Sequence, residues 1–75
     1  MKSAETLANE AKKRLRKSLE GVEGLVGLGL SELEPQRFQI VAHVESEESA
    51  VWDRLPVEWE GYQVRKIVTG RPRAL

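Results

Sequence analysis

No cysteine occurs in the 75 residues. That removes disulfides, thiolate metal ligands and nucleophilic thiol chemistry together, and it points to a reducing, cytoplasmic setting. There is a single histidine, His43; with no serine in a nucleophile-elbow pattern a Ser-His-acid triad has little to build on, and a metal site would need further ligands. No apolar run approaches the roughly 20 residues of a membrane span. The opening MKSAETLANEAKK is a charged helical pattern rather than the apolar core of a signal peptide. Aromatic residues are few: Phe38, Trp52, Trp59 and Tyr62. Neither sign of charge dominates, since 12 basic residues balance 12 acidic ones, which argues against a dedicated nucleic-acid binder. The expectation is a non-enzymatic protein with no metal, no cofactor and no membrane segment.

What is present is segregated charge. Lys12, Lys13, Arg14, Arg16 and Lys17 cluster in one stretch, six acids against the single Arg54 follow between Glu45 and Glu60, and Arg65, Lys66, Arg71 and Arg73 come last. Blocks of opposite sign attract each other within one chain or between two copies, although salt screens the effect.

The apolar pattern predicts a single α+β domain spanning residues 1–75. A chain of this size buries only about 60–65% of its unfolded surface, so its core is small. Leu7, Ala8, Ala11, Leu15, Leu19 and Val22 recur at helical spacing over 4–20, with Ser3 as N-cap and Gly21 and Gly24 as the stop. Residues 24–32 read as a strand with Val26, Leu28 and Leu30 on one face and Leu25, Gly27 and Gly29 on the other. A five-residue turn through Pro35 leads to a strand over 37–45. Its inward side is Phe38, Ile40, Ala42 and Val44, and Val41 and His43 lie on the wetted side.

Ser46-Glu47-Glu48-Ser49 reads as the start of a short helix that Pro56 stops, packed through Val51 and Leu55. Residues 57–60 are extended, Glu60-Gly61 is a turn, and 62–69 form a third strand. In that strand Lys66 interrupts the apolar side, which marks a sheet edge where it snorkels or a bulge. Residues 71–75 are expected to be a frayed tail. The α-β-β-α-β order predicts a two-layer sandwich with a three-stranded sheet in the order 2-1-3 and both helices on one face.

Several motifs are weaker than they look. Gly21-Val22-Glu23-Gly24 has the G-x-x-G spacing of a phosphate-clamping loop, but it joins a helix to a strand and carries an acid. Gly27-Leu28-Gly29 lies inside a strand and presents no helix N-terminus. Glu58 and Glu60 flank Trp59 in what reads as a solvated acidic turn. Glycine at alternate strand positions more simply permits the close approach of another chain.

Two binding surfaces follow. The leading one is a self-association face, giving a homodimer, built from Leu25, Gly27, Gly29, Val41, His43 and Ile67 with Trp52 and Trp59 as anchors. The alternative is a weak nucleic-acid contact through Lys12, Lys13, Arg16 and Lys17, with Arg71 and Arg73.

Gly24-Leu25-Val26-Gly27-Leu28-Gly29, Leu55-Pro56, Gly61-Tyr62-Gln63-Val64, Thr69-Gly70 and the closing Ala74-Leu75 together carry a resemblance. They resemble the glycine-rich strand domain, VVGVGVG then LP, GVPV and TG, found ahead of trypsin-like peptidase domains in uncharacterised bacterial proteins. The resemblance covers about 24–75, and Tyr62 and Lys66 depart from its small aliphatics. It implies a fold and no activity, because that region supplies none of the peptidase machinery. The α-β-β-α-β order also looks like BON-type domains, which are binding modules; this is a likeness of topology alone.

Overall fold

The computed structural model describes residues 1–70. Helix α1 (Ala4–Ser18) is followed by strands β1 (Leu25–Glu34) and β2 (Arg37–Val44), helix α2 (Ala50–Arg54), and strands β3 (Glu58–Trp59) and β4 (Tyr62–Val68). The mixed α+β class and the two helices agree with the sequence. The sheet does not: it has four strands in the order β1-β2-β4-β3, so β1 is an outer strand and β2 an inner one.

Side-chain content explains that order. A strand flanked on both edges is best filled by residues that bury on both faces, and β2 supplies Gln39, Ile40, Val41, Ala42 and Val44, all buried. With Gly27 and Gly29, β1 has little to bury on one face and occupies an edge at small cost. The β2-to-β4 connection is parallel and passes through α2, as a crossover requires. Residues 57–60 are extended as expected, but Glu58 and Trp59 also pair with Gln63 and Tyr62, and this adds the fourth strand.

Helix α1 starts where Ser3 accepts a hydrogen bond from the Thr6 backbone N–H at 3.1 Å. Glu5 lies in its first turn and Arg16 and Lys17 in its last, the order its dipole favours. Ala8 and Ala11 let the helix lie close to the sheet, while Leu15 and Leu19 fill the space beyond. Leu7 is a correction. It is 47% exposed, because it sits on the flank of the apolar stripe rather than at its centre.

The core lies between the sheet and both helices: Leu15 from α1 and Leu19 at its C-cap, Val51 and Leu55 from the α2 segment, and Ile40, Ala42, Val44 and Val64 from the sheet. Phe38, expected in this core, is only half-buried near the hairpin end. The register groups this helix side into rows, Leu30–Ile40–Val64, Leu28–Ala42–Lys66 and Leu25–Val44–Val68.

Leu25 is therefore a second correction. A register shift between Leu25 and Gly27 turns it to the helix side, where it packs on the core, and leaves Val26 41% exposed. Strict alternation cannot foresee a one-residue bulge. Helix α2 is also shorter than expected, because Ser46–Ser49 close on themselves. The Ser46 N–H donates to Ser49 Oγ at 3.2 Å and the Ser49 N–H to the Ser46 carbonyl at 3.2 Å.

Neither helix among the described residues is long and apolar enough to cross a membrane. The expected frayed tail, 71–75, lies outside the described residues.

Candidate functional site

Strand β1 defines the candidate surface. One edge pairs with β2 and the other pairs with nothing among the described residues. The strand is ten residues long and carries no proline or lysine; the devices that guard an open edge, bulges and the acids Glu32 and Glu34, lie towards its two ends and leave Gly27–Ser31 without one. Its two register irregularities leave Val26 and Leu33 exposed, at 41% and 47%.

On the side away from the helices, the register sets Gly27 beside His43 and Ile67, and Gly29 beside Val41 and Arg65. Five residues of the predicted face, Gly27, Gly29, Val41, His43 and Ile67, are thus brought together. A methyl group added at Gly27 or Gly29 would meet open space. The middle of this face is less bare than expected, however. Val41 and Gln39 are buried, and His43 and Ile67 are half-buried. Of these two strands β1, through Val26 and Leu33, carries the exposed apolar side chains; Leu7, Val57 and Val68 are exposed elsewhere.

Trp52 and Trp59 do not join that face. The Glu60-Gly61 turn has positive φ at both residues, 51° and 87°, the combination that matches the twist of a tight hairpin. It returns Trp59 towards α1, where the indole N–H donates to the Ala11 carbonyl at 2.9 Å. Trp52 packs on the core, with the Lys66 ammonium 4.3 Å from its ring centroid. The same ammonium donates to the Trp52 carbonyl at 3.1 Å. Both tryptophans thus act inside the fold. The register through Lys66 is unbroken, so it marks no bulge. Spacing alone offered no signal for this, because the partner comes from α2.

The turn also places Glu60 on the basic helix. Arg14 Nε donates to it at 2.8 Å and an Arg14 terminal nitrogen at 2.6 Å, a fork-on-carboxylate pair. The hydrogen bond from Arg14 holds the Glu60 carboxyl below its ordinary range, and the Glu60 carboxylate in turn raises Arg14. At the helix start, the bond from Lys2, 2.7 Å, likewise lowers Glu10. The Arg14–Glu60 pair thus joins the basic helix to the acidic stretch.

Of the remaining basic residues, Lys13, Arg16 and Lys17 are exposed and Lys12 is half-buried. None of these four makes an ion pair among the described residues. Lys13, Arg16 and Lys17 rim an open groove of about 650 Å³ between the end of α1 and the start of β1. Leu19, Val22 and Leu25 line its apolar part, and Glu20 adds one acid. The sequence showed the charge run but not this groove, to which the bulge adds Leu25. Arg71 and Arg73 lie outside the described residues.

Among the described residues no three histidine or carboxylate side chains come together as a metal site. Comparison of the chain with protein-family models, curated proteins and solved structures finds no match.

Proposed function

We propose that this protein is a non-enzymatic association module whose working surface is the open side of β1, and that it self-associates through it. The unpaired, proline-free and lysine-free edge of β1 carries this reading. An exposed row of N–H and C=O groups beside apolar side chains is satisfied by water or by another strand, and another strand also covers Val26 and Leu33. A specific interface of ordinary size takes about 800 Å² from each partner. The groove beside Leu25 extends the contact beyond the strand itself.

Sedimentation equilibrium over a micromolar concentration series tests this. A mass rising towards twice the chain's 8.5 kDa is expected. A constant monomer mass overturns the reading.

The exposed rim Lys13, Arg16 and Lys17 favours one second reading, a weak nucleic-acid contact. It predicts binding that falls steeply as salt rises, and a Lys13/Arg16/Lys17 triple-alanine variant that no longer binds. Absence of binding at about 50 mM salt rules it out.

A further inference from the structure

Resting on that reading of self-association, we propose that two copies pair β1 with β1 antiparallel about a two-fold axis at Gly29, placing Glu32 of each copy at the other's Lys13–Arg16–Lys17 groove. A closed dimer uses the same patch on both subunits, and a two-fold axis perpendicular to the strand sets it antiparallel to its own copy. Directly opposed residues share a face, so the register about Gly29 sets Leu28 against Leu30 of the second copy, on the helix side where both already pack.

Charge selects the direction. The acids of β1, Glu32 and Glu34, sit at one end of the strand, and the basic groove opens at the other, beside Leu25. A parallel pair sets the acids of the two copies side by side. The antiparallel pair separates them and brings each near cations that have no ion-pair partner among the described residues. Glu32 faces the helix side, since it stands opposite Phe38, two residues along from Leu30 and Ile40. Glu34 points the other way and pairs with Arg37 of its own chain at 3.6 Å, whereas Glu32 accepts a long, 3.4 Å bond from the Gln36 N–H of its own turn, one weak enough to give up for the groove. Glycine at the axis leaves no like pair of side chains facing each other across it on the sheet surface.

The chain lacks cysteine, so single-cysteine variants report the register cleanly. At Gly29 an added Cβ meets open space, so Gly29→Cys is expected to retain the fold. Opposed antiparallel positions lie about 4.5–5.5 Å apart between Cα atoms, within disulfide reach. Gly27→Cys lies roughly 13 Å from its own copy in this register. Mild oxidation is expected to cross-link Gly29→Cys into dimer and to leave Gly27→Cys uncross-linked. A dimer mass with no cross-link at position 29 overturns this register while self-association stands, and a monomer at all concentrations overturns both.

Charge exchange is the second arm. Arg16→Glu and Glu32→Lys each weaken dimerisation, by about fivefold, the upper end for an exposed pair, and the double variant recovers it. Two single variants that dimerise like the parent overturn the placement of Glu32.

Discussion

Trp59 and Ala11, 48 positions apart in sequence, are joined by a 2.9 Å hydrogen bond from the indole N–H to the helix carbonyl. It ties the β3–β4 hairpin to α1 and accounts for a tryptophan held inside the fold rather than spent on a binding surface. Trp59→Phe keeps an aromatic ring there and removes the donor. It is expected to lower stability by about 0.5–1.5 kcal/mol, read as a shift of the urea midpoint with an unchanged slope. No shift at all would mean that the bond contributes nothing in water.

Glu60 holds a left-handed backbone, φ 51°, that asparagine adopts more readily, and it also pairs with Arg14. Because Arg14 lowers the folded-state pKa of Glu60, the pair's contribution is present above the unfolded carboxyl's pKa and is lost as pH falls through the folded one. E60N gains the easier turn and never has the pair. Its melting temperature relative to the parent is therefore expected to rise as pH is lowered below about 4. A difference that shrinks on acidification contradicts this sign.

At Gly24 the backbone has φ 101°, and a Cβ placed there would collide with the Ser49 Cβ, itself a fixed atom. Conformation and crowding act together, so Gly24→Ala is expected to cost on the order of 2–4 kcal/mol. Gly27→Ala, with open space and no positive φ, is expected to be neutral or mildly stabilising to the monomer. Chemical denaturation of the two variants side by side separates them, and equal midpoints would remove the distinction between the two glycines.

Much of this fold is legible in the residues themselves. The stripe Ala8, Ala11, Leu15 and Leu19 fixes α1, and the alternation of Ile40, Ala42 and Val44 fixes β2, because each repeats with the period of its own element. Strand order is not legible in the same way. It depends on which strand buries both faces, and Val41 and Gln39, read singly, look like residues of a wetted side. The candidate site divides similarly. Gly27, Gly29, Val41, His43 and Ile67 follow from alternation, whereas Leu25 moves because of one extra residue at the bulge. Trp52 and Trp59 turn inward because their partners, Lys66 and Ala11, are 14 and 48 positions away, beyond any local pattern.

The most direct measurement of the central claim is amide hydrogen exchange along Leu25–Glu34, followed as protein concentration is raised through the micromolar range. In a lone chain the amides on the free edge of β1 exchange rapidly while those bonded to β2 are slow. The account predicts that the rapid set becomes protected as concentration rises, with no change along β4. Rapid exchange of those edge amides at every concentration contradicts it.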